Sequence, residues 1–561
     1  MPSALRCFGG GLALLWLLAA CAGHQSEPLS AELDETAFRG HIRILSSDEF
    51  EGRRPGTPGE EKTVAYLVDQ LKKLGLKPGN GGSYVQPLPL MEITAGSDTS
   101  LSVSGRGKSV AFAYGSEAVI WTKRPQPEVH LAGSDVVFAG YGIVAPEYGW
   151  DDYAGLDAYG KTVVVLVNDP GFATGDPKLF KGRTMTYYGR WTYKYEEAAR
   201  HGAAAVLIVH DTDAAGYGWN VIQGGWTGPQ QDLVPADGNA GRALIEGWLS
   251  AGAARALFTQ AGLEFDGTAA SAARRGFKAV PMGLRAEASI HNKITNSSSQ
   301  NVIALLPGEQ RPKEYIFYTA HWDHFGVSLG PDGKRIYHGA ADNASGVAGI
   351  LTLAQSFSRM PVRPSRSIVF LFATAEESGT LGSAYYVEHP IFPLKDTVAV
   401  LNIDIMRSGG PTRDVIVFGL GNSELDAYAR TAALLQGREV KPDPEPEAGL
   451  FFRSDHFKFA KAGVPALYAE AGLDDAEHGP AWGKARYDDY YAHRYHEPSD
   501  VYLETWDLRG AMQDLSLYLA VGVRLSRERR FPNWNPESEF RPIRDKFRPP
   551  EHRRPPSSGN E

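Results

Sequence analysis

Tyr315-Ile-Phe-Tyr-Thr-Ala-His321-Trp-Asp323-His324 is an apolar run that ends in acidic and imidazole side chains, and the chain repeats the pattern twice more. Ser367 to Thr374 leads into Glu376 and Glu377, and Val398 to Ile403 leads into Asp404. Between the first two lies Gly339-Ala-Ala-Asp342-Asn343-Ala-Ser345-Gly346. It opens a stretch with Val347, Ile350, Leu351, Ala354 and Phe357 at helical spacing. Apolar runs alternating with a helical period predict an α/β fold, with a mixed, mostly parallel sheet flanked by helices. In such a sheet ligands gather in the crevice at the carboxyl ends of the strands, where all these polar residues fall.

At 561 residues the chain is long enough for two large cores. A hydrophobic share of 43% with 22% charged residues is globular, and a net charge of −9 argues against nucleic acid as a partner. Both cysteines lie at the start. Phe8 to Ala20, behind Arg6, is too short to span a bilayer and has the form of a signal peptide. Leu18-Ala-Ala-Cys21 resembles a bacterial lipobox. That implies cleavage before Cys21, lipidation of its thiol and a membrane anchor. Ala22 and Gly23 lack the aspartate that retains lipoproteins in the inner membrane, so the expected location is the outer membrane, facing the periplasm.

In chain order, residues 22–30 read as a tether. Helices are predicted at Glu32 to Leu45 and Glu60 to Leu76, with the Gly- and Pro-rich turn 51–59 between them. From Gly96 to Ala288 short β-like runs take over, with one helix at Tyr193 to His201 and no cluster of His, Asp and Glu at ligand spacing. Asn301 to Leu305, Val415 to Phe418 and Val464 to Tyr468 read as strands, and Leu425 to Leu435 and Trp506 to Leu525 as helices. From Arg527 onward the chain is rich in Arg and Pro and reads as an extended or disordered tail, 527–561.

Imidazoles and carboxylates without a thiolate suit zinc, with cobalt or manganese as rivals. A carboxylate has two oxygens, so one aspartate can bridge two ions. Asp342, in its Gly/Ala-rich turn, is placed for that. Each residue alone has a structural reading, since a histidine after a strand or a Glu-Glu pair is ordinary. All of them at strand ends is less ordinary.

Ala320-His321-Trp-Asp323-His, Gly339-Ala-Ala-Asp342-Asn343, Ala375-Glu376-Glu377, Asn402-Ile-Asp404, Ser454-Asp455-His456 and His496-Glu-Pro-Ser-Asp500 resemble the co-catalytic dinuclear zinc aminopeptidases. That family also includes glutamate carboxypeptidases. Residues 130–275 resemble the protease-associated domain that many members carry as an insertion. The resemblance implies a zinc-exopeptidase (phosphorylase/hydrolase-like) fold, with helices at 31–95 and the region 289–526 forming one catalytic domain around a β-rich insert at 96–288. It implies two Zn2+ ions, one on His321 and Asp404 and the other on Glu377 and His496, bridged by Asp342. Glu376 would be the general base for a water shared by the ions. Asp323 would hold the His321 imidazole in its tautomer. His324 is a rival ligand by proximity; His338, His456 and His493 are read as structural or pocket-lining.

In one respect the chain departs from this pattern. Several family members carry a tyrosine three residues before Ser-Asp-His, where it can assist the oxyanion; here the position is Phe451, read as lining the substrate pocket. Either Tyr490 or Tyr491, also read as pocket residues, substitutes, or the metal alone suffices. Arg453 could hold a substrate carboxylate or make a structural ion pair. The leading reading is a peptide-cleaving exopeptidase, an aminopeptidase before a carboxypeptidase. A glutaminyl-cyclase-like transferase and a non-catalytic binding or receptor-like module are the alternatives from other classes. Neither peptide side-chain preference nor oligomeric state is legible.

Overall fold

The computed structural model describes residues 32–330 and 333–548. Cys21, the stretch expected to be a signal peptide and everything past residue 548 lie outside the described residues. No helix among the described residues is long and apolar enough to cross a membrane.

The central strand is Arg311–His321, buried from Ile316 onward. Its parallel neighbours are Arg366–Ala373 on one side and Thr397–Asn402 on the other. The chain reaches the first through the helix Gly346–Arg359 and then doubles back to the second, so strand order reverses at Arg311–His321. A reversal parts the connections on the two sides and opens a crevice at the strands' carboxyl ends. Beyond Thr397–Asn402 the sheet continues through Ala466–Ala471, then antiparallel Asp414–Phe418, then Glu439–Pro442. Every residue of Arg366–Ala373 is buried, as a strand covered on both faces requires. Helices Glu35–Leu45, Pro58–Lys73 and Gly346–Arg359 contribute to one core together with Arg509–Arg527.

One strand, Val280–Leu306, runs through two sheets. Its second half pairs with Val85–Ala95 and Arg366–Ala373 in the central sheet. Its first half pairs with Ser100–Gly105 and Glu128–Phe138 in a second sheet. That second sheet is less purely β than the sequence suggests. Glu128–Phe138, Thr162–Leu166, Ala205–Val209 and Ile245–Leu249 pair in parallel, and the helices Trp191–Arg200 and Ala251–Gln260 pack with them.

The reading of residues after 527 as extended or disordered is corrected as far as residue 548. Phe531, Trp534 and Phe540 are buried, and Arg541–Phe547 is helical. Trp534 Nε1 donates to the Gly463 carbonyl at 2.9 Å, and the buried Arg544 guanidinium donates to the Thr397 carbonyl at 2.9 Å. Composition hid this, because few aromatics anchor many polar residues. Trp534→Ala is expected to cost about 3–5 kcal/mol in urea unfolding. An unchanged midpoint would show that the segment is not part of the folded core.

Candidate metal centre

Three strands deliver the site. His321 ends the central strand and lies beside Ala373 of its neighbour. Glu376 and Glu377 follow Ala373 after a turn at Ala375, and Asp404 follows the other neighbour two residues past Asn402. Ala375, Ile405 and His496 hold left-handed backbone at φ 51°, 56° and 61°. Such residues cluster where surrounding contacts impose a geometry on a site. Asp342 comes from the loop before the helix Gly346–Arg359. Gly339, at φ +55°, begins that loop, and a Cβ there would stand 2.2 Å from the Asp342 carbonyl oxygen. Only glycine fits.

The side chains meet at short range. Asp342 Oδ1 lies 3.2 Å from His321 Nε2, and Asp342 Oδ2 lies 3.2 Å from His496 Nε2. His321 Nε2 is 3.3 Å from Asp404 Oδ1, and His496 Nε2 is 3.2 Å from Glu377 Oε2. The two oxygens of one carboxylate therefore face two separate His–carboxylate pairs. His321, Asp342 and Asp404 form one cluster of converging donor atoms, and His324, Asp342 and Glu377 form another. His324 Nδ1 sits 2.5 Å from Glu377 Oε1, so at the second position it stands alongside His496. Ligand–ligand edges of about 3.3 Å are those of a tetrahedron with arms of about 2.0–2.1 Å, so the donor set fits zinc.

A surrounding shell of hydrogen bonds holds these groups. Ser454 Oγ donates to Asp404 Oδ2 at 2.6 Å and accepts from Asn402 Nδ2 at 2.8 Å. Asp323 accepts the amide hydrogens of Glu376 and Glu377 at 3.0 and 3.4 Å. Its expected role toward His321 is corrected: the Asp323 carbonyl oxygen, at 3.1 Å, faces His321 Nδ1, while the carboxylate stands 3.8 Å away. Asp500 accepts from the amides of Ala341 and Asp342 at 3.1 and 3.0 Å.

Charge is distributed unevenly among these groups. Burial opposes charge on His321, yet Asp404 and Glu376 hold it well above the usual histidine range. His496 likewise resists burial and is raised to about 10, mainly by Glu377. Burial raises Glu377, but His496 and His324 outweigh it and bring the carboxyl down to about 2. Asp342, hydrogen-bonded to His321 and His496, sits well below its ordinary range despite burial. Glu376 goes the other way, well above the ordinary range, through burial and its neighbours Glu377, Asp404 and Asp455. The two adjacent glutamates are thus pushed apart.

The remaining residues singled out in the sequence scatter. Phe451, read as a pocket residue, is corrected to a core one, edge-on to His456 at 4.8 Å and to Phe452 at 5.3 Å. His456 is fully buried, and burial pulls it down to about 3. Tyr490 is buried with its hydroxyl unpartnered, and Tyr491 packs toward Arg407. Tyr495, passed over in the sequence, stacks on His496 at 3.7 Å within electrostatic reach of Asp342, Glu377 and Glu376. Its position immediately before His496 was the available signal.

With this geometry in hand, the sequence comparisons point one way. Residues 301–520 match Peptidase family M28. The stretch includes His321, Asp323, Asp342, Glu376, Glu377, Asp404 and His496 and leaves the first 300 residues outside the match. Aminopeptidase NAALADL1 of Mus musculus is 32% identical over 130 residues, which is 22% of this chain and 16% of that protein. Aminopeptidase YwaD of Bacillus subtilis (strain 168) is 28% identical over 212 residues, 37% of this chain and 40% of that protein. The chain spans well under two thirds of the length of these curated relatives. Among solved structures, an aminopeptidase from Aneurinibacillus sp. strain AM-1 aligns at 22% identity over 88% of this chain and 94% of its own, with a TM-score of 0.48.

Outside the M28 stretch, Arg53 is the residue that sequence reasoning missed. It is 1% exposed within the turn read only as Gly- and Pro-rich. Its guanidinium donates to the carbonyls of Trp322 (2.9 Å), Leu45 (2.7 Å), His338 (2.7 Å) and Gly339 (2.9 Å). One side chain therefore ties the His321 strand end to the Asp342 loop. Arg53→Met would orphan four acceptors and remove a cation near the carboxylates. The expected loss is about 3 kcal/mol or more in unfolding, with zinc affinity down about 10–100-fold. Arg53→Lys, a point donor, should restore only part. Unchanged stability and zinc affinity would sink this role.

Proposed function

We propose that this protein is a metallo-exopeptidase acting on peptides, and specifically an aminopeptidase. The single observation that carries the reading is the division of Asp342 between His321 and His496 at 3.2 Å each. His321 and Asp404 would hold one cation, Glu377 and His496 the other, and Asp342 both, with His324 close enough to join the second. Zinc suits the donor set best, and cobalt or manganese are workable substitutes. Two such cations, when bound, acidify a water and polarise a carbonyl.

The chain's own groups supply the rest. Glu376, raised by burial among carboxylates, accepts the proton of the attacking water and delivers it to the leaving amine. Asp323 keeps Glu376 and Glu377 in place through their amide hydrogens. Tyr495, whose ring stacks on His496 at 3.7 Å, is the tyrosine this reading assigns to donate to a developing oxyanion. The relatives matched above are named aminopeptidases, which supports the amino- over the carboxypeptidase reading. The Cys21 anchor belongs to the same proposal, placing the enzyme outside the cytoplasm.

Glu376→Gln is expected to keep about two zinc ions per chain by elemental analysis. Its turnover of a peptide with a free N-terminus should fall about 100–10,000-fold. Loss of metal from this variant would reverse the roles of the two glutamates. Wild-type cleavage of the N-acetylated peptide as fast as the free one would overturn the aminopeptidase reading.

A further inference from the structure

Arg190 and Arg453 come from opposite halves of the molecule. Arg190 caps the helix Trp191–Arg200 of the second sheet's unit, and Arg453 follows the turn Leu450–Phe452, next to the Ser454 that binds Asp404. Their two segments are firmly packed. Met185 N donates to the Pro446 carbonyl at 3.0 Å, and the Tyr187 ring lies 5.4 Å from Phe457.

Among the described residues the guanidinium groups have no partner to match their charge. Arg190 is 9% exposed, and its Nε is buried without a hydrogen-bond acceptor. Arg453 Nε and Nη2 are buried without one as well. Among the described residues neither arginine has a carboxylate within 4 Å, although Asp443 lies within electrostatic reach of Arg453. The Tyr217 ring, 6.0 Å from Arg453 Cζ, offers a π face and no anion. Burial and the neighbouring Arg453 bring Arg190 down to about 10, so it stays charged at neutral pH. A buried cation and a half-buried one within electrostatic reach of each other, both with buried donors left open, are a costly arrangement unless an anion completes it. A planar carboxylate, able to accept two parallel N–H bonds, is the natural complement.

Tyr495 links this pair to the metal centre. It lies within electrostatic reach of Arg453 as well as of Asp342, Glu377 and Glu376. A bound peptide would thus meet negative charge at one place and positive charge at another.

We propose that Arg190 and Arg453 form a carboxylate subsite, so that the preferred substrates are peptides whose amine end occupies the acidic centre while a carboxylate reaches the arginine pair. That carboxylate is either the free C-terminus of a dipeptide or an acidic side chain following the scissile bond. The proposal rests on the exopeptidase reading and goes beyond it, because it gives the second unit a part in substrate choice.

The test compares Ala-Ala, Ala-Ala-amide and Ala-Asp-amide as substrates of zinc-loaded wild type, Arg190→Gln, Arg453→Gln and the double variant. Wild type is expected to favour Ala-Ala over Ala-Ala-amide by about tenfold or more in kcat/KM, chiefly through KM. Each single substitution should shrink that ratio, and the double variant should bring it near one. Recovery of the rate with Ala-Asp-amide would assign the subsite to an acidic side chain, and no recovery would assign it to the free terminus. Equal wild-type rates on all three peptides, or variants that slow all three alike, would overturn the subsite and leave the peptidase reading standing.

No cleavage of any peptide would overturn the peptidase reading instead. Titration of N-acetylalanine into wild type and the double variant then decides the subsite without turnover. Saturable binding lost in the variant supports it, and no binding to wild type overturns it. Removing unpaired buried charges should leave the melting temperature equal or higher, whereas a purely structural pair would lower it.

Discussion

Asp323, Asp342, Glu376, Glu377 and Asp404 converge on one crevice, and the rest of the molecule is built around tolerating their repulsion. Two like charges about 4 Å apart cost about 4 kcal/mol at an effective dielectric of 20, and burial removes the water that would screen them. The chain answers in three ways. His321 and His496 interleave with the carboxylates at 3.2–3.3 Å. Backbone amides of residues 341, 342, 376 and 377 point at Asp500 and Asp323. Arg53 lies beneath, within electrostatic reach of Asp342, Asp500, Asp323 and Glu377. These measures lessen the strain, and the geometry they leave is one that cations would complete.

Sheet topology makes that convergence possible. Because strand order reverses at Arg311–His321, the connections on its two sides part, and His321, Glu376, Glu377 and Asp404 emerge into the same gap. Asp342 and His496 arrive from loops, and both depend on unusual backbone, Gly339 at φ +55° and His496 at φ 61°. The long strand Val280–Leu306 then fastens the second unit to the central sheet. A continuous strand is a stiff joint, and across the packed boundary it leaves Arg190 within electrostatic reach of Arg453.

What could be seen in the sequence was local, and what could not be seen was long-range. Apolar runs such as Tyr315 to Ala320 and Ser367 to Ala373 announce buried strands because nothing polar interrupts them. The acidic and imidazole residues that follow them then fall at strand ends without further help. By contrast, the strand predicted only for Asn301 to Leu305 runs over 27 residues and takes in Asn296-Ser-Ser-Ser299, because Leu88–Met91 pairs with it. Arg53 looked like part of a loop, since its four carbonyl partners lie up to 286 positions away. The residues after 527 looked extended because Trp534 finds its pocket against Gly463 and Phe540, which composition does not convey. Asp323 was recognised as a support, but the atom facing His321 is its backbone oxygen.

The central claim is that one carboxylate, Asp342, serves two cations. The most direct measurement is anomalous diffraction at the zinc edge from crystals of the zinc-loaded protein. The account predicts two peaks, one between Asp342 Oδ1, His321 and Asp404 and one between Asp342 Oδ2, Glu377 and His496. A single peak, or two that do not share Asp342, would contradict it.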